Sequence, residues 1–171
     1  MLANFLHIVL FIIDIMPSQP KIKFSDYPDL RLEIDQLYDN ADQAILAKWA
    51  TNCAKHILHL AENENVDLSV INDGFKINEL WQVGKATVHE VRQAGFKIHA
   101  VARKCETNIG KHAFRTVGQA VAVGHMREHA MVCADYVIKT IGLAFPDSLN
   151  KIKEEREWQL AALKTEILKN I

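Results

Sequence analysis

Leu46-Ala47-Lys48-Trp49-Ala50-Thr51-Asn52-Cys53-Ala54-Lys55-His56-Ile57-Leu58-His59-Leu60-Ala61 is the stretch whose reading decides the fold. Its apolar positions Leu46, Trp49, Ala50, Cys53, Ile57, Leu60 and Ala61 recur at the three-to-four spacing of one helix face, with Lys48, Asn52 and Lys55 between them. That rhythm predicts an amphipathic helix with a buried stripe.

The same rhythm extends in both directions. No proline stands between Pro28 and Pro146, and every glycine lies at Gly74 or later, mostly single within Ala- and Val-rich sequence. A long proline-free run permits helix, and the scarcity of hairpin dipeptides argues against strands. Leu30, Ile34, Leu37 and Tyr38 predict a short first helix, with a break at Asn40 to Asp42 and Asp42 as the cap of the second. Leu68 to Trp81 predicts a third helix, interrupted near Gly74 and ended by Gly84. Thr87-Val88-His89-Glu90 matches the capping box and opens a fourth that carries Val88, Val91, Gly95, Ile98, Ala102 and Cys105. Asn108 is the expected cap of a fifth, and a sixth is expected from about His125 to Ile141, either separate or continuous with it, with Gly142 as its stop. Asp147 to Lys169 predicts the last. The expected fold is an all-α, single-domain bundle of six to seven helices.

The chain has 171 residues, 49% hydrophobic and 24% charged, with a formal net charge of -1. Such a composition fits one globular domain and excludes disorder. The charge balance argues against a nucleic-acid coat or a polybasic membrane binder. Cys53, Cys105 and Cys133 are odd in number and lack C-x-x-C spacing, so they read as buried thiols in a reducing cytoplasm. Residues 1–28 divide into an apolar leader, Met1 to Met16, and an extended entry segment rich in proline. The leader is shorter than a bilayer span and lacks the basic start and cleavage pattern of a signal peptide, so Met16 is an alternative start. Residues 29–171 form the expected helical domain.

Charge is segregated along the chain. Residues 21–74 hold five cations and ten anions, and residues 75–127 hold nine cations and three anions. The two stretches either compensate each other inside the fold or present faces of opposite sign to a protein partner. Ala50-x-x-Cys53-Ala54-x-x-Ile57 and Ala130-x-x-Cys133-Ala134-x-x-Val137 also echo each other, through coincidence of two helical cores or through duplication.

The sharpest chemical feature is His125-x-x-x-His129. On a continuous helix two imidazoles four apart share a face and supply two metal ligands, but no H-E-x-x-H occurs and two ligands do not complete a site. The pair lies in a mostly apolar stripe, so core histidines, a partner-recognition pocket and a metal-binding enzyme or sensor all stand open. His56 and His59 fit a helix end, where imidazolium favours the dipole. No nucleophile elbow, P-loop or dinucleotide fingerprint is present. No cofactor is expected.

Leu46-Ala47-Lys48-Trp49-Ala50-Thr51-Asn52-Cys53-Ala54-Lys55-His56-Ile57-Leu58, Gly118-Gln119-Ala120-Val121-Ala122-Val123-Gly124-His125-Met126-Arg127-Glu128-His129-Ala130 and Glu155-Arg156-Glu157-Trp158-Gln159, taken together, resemble the immunity proteins of bacterial polymorphic-toxin systems. The resemblance covers the chain from about Leu30 onward. It implies an all-α cytoplasmic protein, without enzymatic turnover, that neutralises a cognate toxin protein by binding it. It involves neither nucleic acid nor membrane, and it leaves the oligomeric state open. The motif positions it carries over as binding candidates are Trp49, Cys53, His125, His129, Trp158 and Gln159.

Overall fold

The computed structural model describes residues 17–170. The leader Met1 to Met16 lies outside the described residues. Seven helices follow one another: α1 (Pro28–Asn40), α2 (Gln43–Ile57, extended by a 3-10 turn at Leu58–Ala61), α3 (Leu68–Gln82), α4 (Val88–Ala102), α5 (Asn108–Ala122), α6 (His129–Ala144) and α7 (Leu149–Leu168). Among the described residues there is no strand, and no helix is long and apolar enough to cross a membrane.

Local chemistry accounts for most of the helix boundaries. The expected capping box forms: the Glu90 amide donates to Thr87 Oγ1 at 3.2 Å, and the Thr87 amide donates to Glu90 Oε2 at 2.7 Å. Gly84 adopts φ 72°, a region closed to most L-residues, and its amide donates to the Trp81 carbonyl at 2.9 Å to end α3.

Several boundaries differ from the sequence expectation. The first helix starts at Pro28, whose fixed φ suits the first turn, two residues before Leu30, the first apolar position of its stripe. α3 runs unbroken through Gly74, which is buried. Thr107, not Asn108, caps α5, its Oγ1 accepting from the Gly110 amide at 2.9 Å. The sixth helix begins at His129, not His125, because the chain turns through Val123 to Glu128 and separates α5 from α6. It also continues past Gly142 to Ala144, since a lone glycine costs a helix only about 1 kcal/mol.

α2 and α6 occupy the middle of the bundle. α7 packs on one side of them and carries α1 against it, and α5 packs on the other, followed by α3 and α4. One continuous apolar cluster runs through the whole, with Trp49, Phe114, Ile57, Ile98 and Ile138 at or below 1% exposure. The echo between α2 and α6 has a packing meaning. Ala50, Cys53 and Ala54 on one helix and Ala130, Cys133 and Ala134 on the other are all fully buried, and the two helices are in contact. Their small side chains let the backbones approach, and the Cys133 thiol donates to the Ala50 carbonyl at 3.4 Å.

Candidate functional site

The six motif residues separate into three places. Trp49, Cys53 and Gln159 are all at 0% exposure, between α2, α6 and α7. The Trp49 indole N–H donates to the Gln159 carbonyl at 2.9 Å, and the Gln159 amide donates to the Ala134 carbonyl at 3.2 Å. A buried indole needs such an acceptor, so these contacts lock three helices together. Cys53 is held far from thiolate character by its burial. None of the three presents surface.

Trp158 lies on the outer side of α7. Its ring stacks on His56 of α2, with centroids 3.8 Å apart and planes 13° from parallel. The stack borders a shallow groove of about 600 Å³ that also takes in Asn52, Lys55, Thr165 and Glu166. Beneath it Glu155 is 5% exposed, with His56 Nδ1 3.1 Å from its Oε2. Burial pushes the Glu155 carboxyl up to about 8 and lowers the His56 imidazole. Near neutral pH the contact is therefore a hydrogen bond between uncharged groups.

His125 and His129 occupy the third place. Although they do not share a helix, their ring centroids are 5.9 Å apart, because the turn before α6 folds His125 back beside the first residue of that helix. His129 Nδ1 is 2.6 Å from Gln119 Oε1, and since that oxygen only accepts, Nδ1 carries the proton. Among the described residues, no three His, Cys, Asp or Glu side chains converge as a metal would require.

Around this pair lies a half-buried, imidazole-rich face built from α4, α5 and α6. Burial lowers the His129 proton affinity, and His125, Lys21 and His99 add to the effect while Glu128 opposes it. His99 of α4 is likewise lowered by burial and then by Arg115 and Arg103. His112 of α5 is lowered first by burial, with Arg115, Lys139 and Lys111 acting in the same direction and its bond to the Asn108 carbonyl acting against it. Its ring lies 5.9 Å from that of Tyr136. Gly118 makes room for His99: a Cβ built there would stand 2.7 Å from the His99 Cε1. The sequence reading found His125 and His129 but missed His99, Arg115 and Gln119, which belong to other helices. The glycine in the quoted Gly118-Gln119 segment was the available signal of a close approach.

A second group that the spacing did not reveal is ionic and buried. Arg156, at 0% exposure, donates to Asp26 at 2.8 Å and to Asp135 at 2.8 Å. Arg31 also pairs with Asp135, at 2.9 Å, and donates to the Ser18 carbonyl. Ser18 in turn donates to Asp35 through both its amide and its hydroxyl. Hydrogen bonds and charge from Asp26 and Asp135 keep the guanidinium of Arg156 protonated against the cost of burial. The network ties the entry segment, α1, α6 and α7 into one body.

The sequence model of the family described as Imm-5 like putative immunity protein matches residues 36–166, from within α1 to near the end of α7, and the chain belongs to that family. No curated protein matches the chain. No solved structure matches it either.

Proposed function

We propose that this member of the Imm-5 like family is a non-enzymatic cytoplasmic binding protein that neutralises a cognate toxin domain by forming a tight complex with it. The observation that carries this reading is the family match, which spans the helices that build the bundle. The packing supports it. Among the described residues the buried side-chain polar atoms are paired, with Thr51 Oγ1 as the exception, so the surface is presented by a scaffold that needs little reordering to bind. Neutralisation then works by occlusion, in proportion to the amount of protein present.

The test is co-expression with the toxin encoded beside this chain. Growth should be restored, and the two proteins should elute together at a fixed ratio. Protection should saturate when the two are equimolar. Absence of a complex, or one copy protecting against a large excess of toxin, contradicts the reading, the latter because it indicates turnover.

A further inference from the structure

The cations of this chain fall into two populations. Lys55, Lys151, Lys153, Lys164 and Lys169 each lie within 4.0 Å of a carboxylate, and Arg31 and Arg156 are paired inside the network. From Lys76 to Lys139 none does so among the described residues. Lys21, Lys23 and Lys48 lack such a partner among the described residues as well, and Arg127 is held by the Tyr38 and Ala41 carbonyls at the end of α1. But eight of the thirteen unpaired cations, from Lys76 to Arg115, lie on α3, α4, α5 and their connections, which pack away from α1, whose surface carries Asp29 and Glu33. The segregation along the sequence becomes a segregation in space.

Within the unpaired population, the α4, α5 and α6 face has a defined structure. Arg115 is half-buried and, with Arg103, acts on His99; with Lys139 it acts on His112. His99 is seated over Gly118, and its ring makes no hydrogen bond among the described residues. Side chains already held in place lose little entropy on binding, and an arginine fork suits carboxylates. Uncompensated like charges repel each other until an opposite charge arrives.

We propose that this α4, α5 and α6 face is the docking surface for an acidic patch on the toxin partner. Arg103, Arg115 and Lys139 supply the charge, and His99, His112 and His129 supply a hydrogen-bonding floor. The proposal rests on the immunity reading above and adds the location and sign of the interface.

The toxin domain encoded beside this chain, disabled at its own active site, is titrated against wild type, R103E/R115E and D29K/E33K. R103E/R115E should weaken binding by about tenfold or more, with D29K/E33K close to wild type, and wild-type affinity should fall as salt rises. Thermal melting followed by circular dichroism checks that each variant folds. Should R103E/R115E not fold, R103Q/R115Q replaces it, with a loss of about threefold expected. A folded variant that binds as wild type does overturns this interface and leaves the immunity reading standing, whereas a wild-type chain that forms no complex overturns both. Binding of a double-stranded DNA oligonucleotide that R103E/R115E abolishes, with the toxin complex intact, overturns the proposal in favour of a nucleic-acid surface.

Discussion

Asp135 of α6 and Arg156 of α7 form a 2.8 Å ion pair at 2% and 0% side-chain exposure, and Arg31 donates to both oxygens of the same carboxylate, at 3.0 and 2.9 Å. One carboxylate thus neutralises part of two buried guanidinium groups. Removing its charge while keeping its shape leaves both arginines under-compensated. Asp135→Asn should cost about 3–5 kcal/mol, measured by urea unfolding, while the exposed Asp29→Asn should change stability by less than about 0.5 kcal/mol. Equal effects of the two substitutions would contradict the network's role.

Trp49 tests whether a motif residue serves the fold or the partner. Trp49→Phe removes the indole N–H that the Gln159 carbonyl accepts and leaves unfilled volume, so about 1–3 kcal/mol of stability should be lost. Affinity for the toxin should stay at the wild-type value, because the side chain has no exposed surface. A large loss of affinity in a protein that still folds would show that the core opens on binding.

Glu155 makes stability depend on pH. Its folded-state value of about 8 lies above the ordinary 4.5, so between those values the folded chain holds a proton that the unfolded chain has released. This group's contribution is complete below about pH 4.5 and is lost as pH rises through about 8. Glu155→Gln removes that dependence. The stability of E155Q relative to wild type should therefore rise from pH 5 to pH 8.5. His99, His112 and His129, all lowered, shift stability the other way in acid in both proteins and cancel in the difference. Parallel profiles for the two proteins would refute the assignment.

Gly118 and His99 should be energetically coupled. Gly118→Ala drives a methyl group into the imidazole and should cost about 1–3 kcal/mol. In the His99→Ala background the same substitution should cost much less, giving a coupling energy of about 1 kcal/mol or more in a double-mutant cycle. Additive losses would mean that the ring moves aside at no cost.

The three thiols should differ sharply in the native state. Cys53 and Cys133 are at 0% exposure, while Cys105 is half-buried and pushed up to about 11, chiefly by burial and also by Glu64. A thiol-reactive chromophore at pH 8 should label Cys105 slowly, because about one molecule in a thousand carries the thiolate. Cys53 and Cys133 should react only after unfolding. Rapid labelling of two or three thiols in the native protein would contradict this burial pattern.

The helices were legible because their signals are local. The apolar stripe from Leu46 to Ala61, the Thr87 to Glu90 box and the Gly84 stop each act within a few residues, and each stands in the structure where the spacing puts it. The boundary at His125 was not legible, since the apolar stripe continues unbroken across it while the backbone turns. That error also changed the meaning of the histidine pair, which meets through a loop rather than along one helix face.

By itself the sequence determined the all-α class, the order of the helices and the alternation of acidic and basic stretches, because helix periodicity, capping and net charge are properties of neighbouring residues. Only the tertiary structure decided that Trp49, Cys53 and Gln159 face inward, that Asp135 serves both Arg31 and Arg156, and that the His99 ring sits over Gly118. Those partners lie on different helices, up to 110 residues apart for Trp49 and Gln159, and their contacts follow from which helix faces pack together, which no local pattern encodes.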